Sequence, residues 1–288
     1  MYLIWGLLVV MTWGLNSPIT KLGISDFPVF LFVALRFIGT GLLFLPFAKL
    51  QKKDIKDLLV IAISFNVLHI GFQYLSLYFL TASASASIQR IQVPMAVLFS
   101  VIFLKEKISP MQMLGMMISL VGVVIIYGIP EVKLTGFTFI IMSAFFFAIT
   151  QVMMKKTGDF HMPTFVAYTA LFSVPFLLVL SLFFDNKLIV DNVDWGRFSI
   201  SLGFQIFVLG FSLAIWQKLI STHGVNKLVP LSLLGVVFAI LGGMVLLGEQ
   251  LTYRMTIGAA VIIAGVAMVT FFKPKEGFWK RLVGKLLK

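Results

Sequence analysis

The chain has 288 residues, of which 60% are hydrophobic and only 12% charged; its mean hydropathy is +1.04 and its net charge +12. Soluble domains carry about 25% charged residues, so a water-soluble globule is excluded and the chain reads as an all-α integral membrane protein. It has no cysteine, which excludes disulfides, thiolate metal sites and thiol catalysis.

A spanning helix needs about 20 mostly apolar residues. Ten segments meet that length: 3–21, 30–48, 58–79, 84–104, 110–129, 136–154, 164–183, 198–217, 225–247 and 253–272. They are too long for the strands of a membrane barrel, which need about 9–11 residues. The first lacks a basic start and a small-residue cleavage site, so it is kept as a helix of the mature protein.

Helix 1 carries Trp13 and Asn16, with Trp5 as an interface anchor. Helix 2 contains Arg36, whose long stem is expected to reach carbonyls or helix ends. Helix 3 carries Asn66, His69 and Gln73 at spacings of three and four, one polar stripe that Ser76 continues. Such a stripe in lipid must face a cavity or another helix. Proton coupling is an option at His69, because imidazole titrates near neutral pH; the alternatives are a substrate contact and a neutral, hydrogen-bonded ring.

Helix 4 contains Ser87-Ile88-Gln89-Arg90-Ile91-Gln92-Val93-Pro94. A charge in mid-bilayer costs at least about 2.5–3.5 kcal/mol, and no Asp or Glu lies inside any span to neutralise Arg90. Its guanidinium fork suits a carboxylate or phosphate. Pro94 cannot donate a backbone bond, which is expected to leave a carbonyl near Arg90 free. Gln89 and Gln92 share a face and extend the polar surface, or bond across helices. Ser109 is expected to cap helix 5 with Pro110 at its first position.

Helix 6 offers Phe147, Thr150 and Gln151, and helix 8 offers Gln205, Ser212 and Trp216 on about one stripe. Asp185–Arg197 forms the longest polar connection. Glu106 and Glu249 sit at helix ends, where each is expected to satisfy a backbone turn or a helix N-terminus. Gly115 with Gly122, and Gly258 with Gly265, give helices 5 and 10 smooth packing faces. The tail from Pro274 to Lys288 mixes apolar and basic residues; it is either a short helix on an anionic leaflet or a disordered basic tail.

With a cytoplasmic N-terminus, Lys49, Lys52, Lys53, Lys56, Lys105, Lys107, Lys155, Lys156, Lys218, Lys227 and six basic residues of the tail face the cytoplasm, 16 in all; Lys21, Lys133, Lys187, Arg197 and Arg254 face outward. This bias places both termini in the cytoplasm and the protein in the inner (plasma) membrane, and it accounts for most of the net charge without nucleic acid.

The two halves repeat at a spacing of 134–143 residues. Aligning Glu106 with Glu249 matches Gly115 with Gly258 and Gly122 with Gly265. Near the start of each half, Trp13 matches Phe147, Asn16 matches Thr150 and Pro28 matches Pro163. Residues 1–134 and 135–272 thus form two five-helix repeats, followed by a basic tail, 273–288. Five is odd, so the second repeat is inverted, as in many secondary transporters.

With these features the chain resembles the EamA-type ten-helix family of the drug/metabolite transporter superfamily. The matching residues are Trp13-Gly14-Leu15-Asn16, Leu35-Arg36-Phe37, the run from Tyr74 to Ser83, Pro94 and Leu247-Gly248-Glu249, within residues 2–272. Lys105-Glu106-Lys107 departs from the usual Gly-Glu, and Arg90 stands where the family usually has apolar residues. The resemblance implies helices around a central cavity, lined mainly by helices 1, 3, 4, 6, 8 and 9, with alternating access and export of amino acids or related metabolites. The expected substrate contacts are Arg90, Gln89, Gln92, His69, Asn66, Gln73, Trp13, Asn16, Phe147, Thr150, Gln151, Gln205 and Trp216. The alternative on the same scaffold is a lipid or isoprenoid-phosphate flippase. No catalytic motif or phosphate-binding loop is present, no metal-ligand spacing surrounds His69, and no cofactor is called for.

Overall fold

The structure is a computed structural model that describes residues 2–23, 27–77, 79–80, 88–127, 133–185, 193–248 and 250–271. The described residues form ten helical rods and no strand. They are α1 (Tyr2–Gly23), α2 (Val29–Phe44), α3 (55–77), α4 (Gln92–Leu104), α5 (Pro110–Tyr127), α6 (Leu134–Lys156), α7 (Met162–Phe184), α8 (195–223), α9 (225–247) and α10 (Tyr253–Phe271). Eight are long and apolar enough to cross a membrane; the other two crossings contain the shorter apolar stretches Tyr2–Asn16 and Gln92–Leu104. Large apolar side chains such as Leu182, Phe183, Val245 and Ile200 point outward, whereas Ser, Thr, Asn, Gln and His are buried between helices. That is the distribution a lipid solvent demands.

Three rods are not uniform. In α3, the α-helix Ile55–Ile61 widens into a π-helix, Ala62–His69, before Ile70–Leu77 resumes the α form. In α8, Gln205–Leu209 widens likewise. In α9, Val229–Leu234 narrows to a 3-10 segment that contains Pro230. The start of the fourth span also differs from expectation. Ile88 and Gln89 are helical, Arg90 and Ile91 form a turn, and the continuous helix runs from Gln92.

The helices pack as an exchange of halves requires. α2 lies on α7 and α5 on α10; α1 against α9 answers α6 against α4, and α3 against α6 answers α8 against α1. The α5–α10 seam shows the relation at atomic level. A Cβ at Gly115 would stand 2.7 Å from the Gly265 carbonyl oxygen, and one at Gly122 would stand 2.7 Å from that of Gly258. Ser119 donates to the Ile262 carbonyl at 3.3 Å. At the spacing that matches Glu106 with Glu249, these two residues correspond in sequence.

The loop ends explain two sequence features. Ser109 and Gln112 cap α5 reciprocally: the Gln112 N–H donates to Ser109 Oγ (3.1 Å) and the Ser109 N–H to Gln112 Oε1 (2.9 Å). α4 and α9 both end in the left-handed conformation, at Lys105 (φ 54°) and Gly248 (φ 65°). Only glycine takes that conformation without steric cost. Lys105→Gly is therefore expected to stabilise the protein by about 1 kcal/mol, read as a raised unfolding midpoint in detergent; an unchanged or lowered midpoint would count against the strain.

Candidate functional site

The polar residues of α3 do not share one stripe. Asn66 Nδ2 donates to the Thr169 carbonyl of α7 at 2.9 Å. His69 faces α6, where its Nδ1 lies 3.0 Å from the Ser143 carbonyl and 2.9 Å from Ser143 Oγ. Gln73 faces α4 and donates to Gln89 Oε1 at 3.3 Å. The π-helix between residues 62 and 69 explains the difference, because it holds more residues per turn than the 3.6 on which the stripe rests. Ser76 closes the run by donating to the Gln73 carbonyl.

His69 is held closely. A carbonyl only accepts, so Nδ1 carries the proton in the bond to Ser143, and Ser143 Oγ donates back to the His69 carbonyl at 2.8 Å. The rings of Phe65 and Phe147 flank the imidazole at 5.2 Å each. Nε2 is left as the ring atom without a protein partner among the described residues. Thr150, expected as a substrate contact, joins helices instead. Its hydroxyl donates to the Phe146 carbonyl (2.8 Å) and lies 3.0 Å from Ser64 Oγ of α3.

A second cluster joins α1, α6 and α8. Trp13 and Trp216 stand 4.7 Å apart between ring centroids. The fully buried Trp216 donates from Nε1 to Gln151 Oε1 at 2.9 Å, a bond that orients the amide. Ser212 turns to Thr12 Oγ1 of α1 at 2.7 Å. Asn16 is partly buried one helical turn beyond Trp13, and Gln205 is buried where the π-helical turn of α8 begins.

The third cluster lies where α3 ends and α4 begins. Gln89 and Gln92 are buried, and Arg90 occupies the turn between them. Arg90 thus sits at a two-residue interruption between helical Ile88–Gln89 and α4 rather than within a continuous helix. The carbonyl expected to be free near it is also engaged: the Val93 N–H donates to the Arg90 carbonyl at 3.1 Å, one residue short of the bond Pro94 cannot make. The Arg90 side chain differs from its backbone. Its Nε is buried and has no hydrogen-bond partner among the described residues.

Arg36 corrects the sequence expectation. It makes no hydrogen bond to a carbonyl or helix end among the described residues. Instead its guanidinium lies over the ring of Phe37, 4.9 Å from the centroid. Sequence reasoning also missed Ser143, which precedes Phe147 by four residues, so helical spacing from a residue singled out would have found it.

Glu106 does what its position suggests. Its carboxylate accepts from the N–H groups of Val225 (3.1 Å) and Asn226 (2.9 Å), the first two residues of α9, and Asn226 Nδ2 donates to the Lys107 carbonyl at 2.7 Å. At the other end of the bundle, Asp185 accepts from the N–H groups of Phe30 and Leu31 and from Ser181 Oγ. Glu249, the tail 273–288 and Ser87 lie outside the described residues.

Four candidate side chains retain a buried polar atom with no protein partner among the described residues: the acceptors Asn66 Oδ1 and Gln92 Oε1, and the donors Arg90 Nε and Gln151 Nε2. Each such atom costs about 1–3 kcal/mol until something pairs with it. The set offers both donors and acceptors, which suits a polar solute. No three His, Asp or Glu side chains converge as metal ligands among the described residues.

Known proteins place this geometry. The model of the EamA-like transporter family matches residues 1–128 and again 134–271. A protein of Salmonella typhimurium named "Probable amino-acid metabolite efflux pump" is 26% identical, the match covering 92% of this chain and 93% of that protein. A protein of the same name from Escherichia coli is 23% identical over 92% and 93%. An "Uncharacterized transporter" of Archaeoglobus fulgidus is 28% identical over 91% and 83%. One solved crystal structure superposes with a TM-score of 0.76 at 17% identity, covering 99% of this chain and 98% of that one; that likeness concerns the fold alone.

Proposed function

The chain belongs to the EamA-like transporter family, and from that premise we propose that it exports an amino acid or a related carboxylate by alternating access. The family is one of transporters, not enzymes. Two inverted repeats, 1–134 and 135–272, would enclose the substrate in a central cavity and exchange roles as one end closes and the other opens. The excess of Lys and Arg in alternate loops of the sequence supports a cytoplasmic location for both termini, in the inner membrane. Relatives named as amino-acid metabolite efflux pumps support the substrate class and the direction.

The observation that carries the proposal is Arg90. Its Nε is buried and has no partner among the described residues, and the described Asp and Glu residues lie at helix ends or in loops. A carboxylate would satisfy the fork and the charge together. The acceptors at Asn66 and Gln92 can receive an ammonium group, and Trp13 with Trp216 offers an aromatic wall.

Arg90→Gln in reconstituted vesicles is expected to lower uptake of amino acids or their carboxylate analogues about 10- to 100-fold, the worth of a hydrogen bond to a charged group, with the protein still folded. Undiminished uptake would overturn the proposal, and uptake of lipid phosphates alone would favour a flippase. The same vesicles test proton coupling. His69→Gln is expected to lose any response to an imposed proton gradient; an equal response in both proteins removes His69 as the carrier.

A further inference from the structure

The first N–H groups of a helix have no partner within it and must find one elsewhere. α9 has no cap of its own. The residue before it is Gly224, which alone joins α8 to α9 and carries no side chain. The cap comes from the other half of the chain. The Glu106 carboxylate, just past the end of α4, accepts from the Val225 and Asn226 N–H groups, and Asn226 Nδ2 returns a bond to the Lys107 carbonyl. A local Ser, Thr, Asn or Asp would cap α9 wherever the two halves stood. Glu106 caps it only while α4 and α9 stand together.

The packing of these two rods is confined to one end. α4 packs on residues 225–234, the first part of α9, and no comparable packing joins it to Gly235–Leu247 among the described residues. The rods therefore converge at Glu106 and separate beyond it. Val225, Leu228 and Val229 of α9 are fully buried in the same apolar cluster as Val97 of α4. One residue before Gly224, the His223 ring stacks on Tyr2 at the start of α1, with centroids 4.7 Å apart. Both ties cross between halves, because α1 and α4 belong to the first and α8 and α9 to the second. The Lys and Arg bias assigns this end to the cytoplasm.

Asp185 is a different case. It too caps a helix of the other half, accepting from Phe30 and Leu31 at the start of α2. But α2 also meets α7 eleven residues further on, where a Cβ at Gly41 would stand 2.6 Å from the Leu171 side chain and 3.4 Å from the Ala167 carbonyl oxygen. That joint does not depend on its carboxylate.

We propose that Glu106 is a releasable latch: its carboxylate holds the cytoplasmic end shut, and exchange of its two N–H partners for water lets α4 and α9 part. This rests on the alternating-access reading above, not on the substrate, and deepens it by naming the contact that must break. The chemistry suits release. The carboxylate is only half-buried, so water reaches it. Carboxylate and N–H groups both find water as a replacement partner, so the net change on release is far smaller than the strength of the bonds themselves.

The sequence holds no cysteine, so one introduced thiol is the only one in the protein. Ser100→Cys in α4 and Ser232→Cys in α9 report on the joint, and Ser173→Cys in α7 reports on the scaffold; all three serines are buried and bond to a carbonyl of their own helix. Each is labelled with a water-soluble maleimide in the full-length protein in lipid nanodiscs. Glu106→Ala is expected to raise the labelling rate at 100 and 232 about 10- to 100-fold, the worth of one hydrogen bond to a charged group, and to leave the rate at 173 unchanged. Glu106→Gln keeps one acceptor oxygen and should fall in between. Asp185→Asn should leave the rates at 100 and 232 as in wild type. Unchanged rates at 100 and 232 in both Glu106 variants overturn the latch, as does an equal rise at 173 or an equal effect of Asp185→Asn. If Glu106→Ala does not fold, Glu106→Gln decides by the same rates. No substrate is added, so undiminished uptake by Arg90→Gln would remove the carboxylate and leave this result standing.

Discussion

Gly224→Ala is expected to destabilise the protein by about 3–6 kcal/mol, more than any polar substitution outside the interior. Gly224 separates α8 from α9 with φ 92° and ψ 161°, a region that is essentially reserved for glycine and costs other residues about 1–3 kcal/mol. Space is lacking as well, since a Cβ there would stand 2.4 Å from Glu106 Oε1. Moving that carboxylate sacrifices one or both of its bonds to Val225 and Asn226, each worth about 1.5–3 kcal/mol with an ionised acceptor. The thermal midpoint in detergent should fall on the order of 10 °C. A double-mutant cycle separates the two causes. Glu106→Ala removes the collision but not the backbone strain, so Gly224→Ala should cost less in that background than in wild type. Equal costs in both backgrounds would show that strain acts alone and that the carboxylate can move freely.

This junction also shows what the sequence could reveal. Glu106 was recognisable as a helix-end group because charged side chains avoid mid-membrane and because its counterpart, Glu249, recurs at the repeat spacing. Its partner was not recognisable, since Val225 and Asn226 are 119 and 120 residues away. The ten spans were legible for a simple reason: hydropathy over about 20 residues is a local property. The polar stripe on α3 failed for a reason equally physical. It assumes a constant 3.6 residues per turn, and the π-helix at Ala62–His69 breaks that constant, so Asn66, His69 and Gln73 reach α7, α6 and α4 in turn. The interruption at Arg90–Ile91 was not legible, because hydropathy does not distinguish a two-residue turn from the helix beside it. Arg36 was misjudged because a long cationic stem usually finds a carbonyl, and here an aromatic face takes that place. The interior charge was visible throughout: two arginines within spans and no acid to meet them.

Gly265 should be the least replaceable position in the scaffold. A Cβ on Gly265 would stand 2.3 Å from Ser119 Oγ, 2.5 Å from the Gly115 carbonyl oxygen and 2.7 Å from the Ser119 nitrogen. Two of those three atoms are backbone and cannot swing aside. Helix association in lipid depends on such close backbone approach, since no hydrophobic force drives apolar helices together there. Gly265→Ala must therefore push α10 away from α5, weakening the Ser119–Ile262 bond and the matching contact of Gly122 with Gly258. Overpacking of this kind costs about 1–3 kcal/mol and occasionally more. It outweighs the gain of up to about 1 kcal/mol that alanine brings to a helix. Gly265→Leu should prevent the seam from forming and leave no monodisperse protein in detergent. Gly203 provides the control, because it lies in a helix of α8 with nothing within 4 Å of a Cβ. Gly203→Ala should be neutral or stabilising, gaining propensity without a clash. If both alanine variants shift the unfolding midpoint alike, the glycines of the seam act through helix propensity, and the close approach of α5 to α10 does not hold the two halves together.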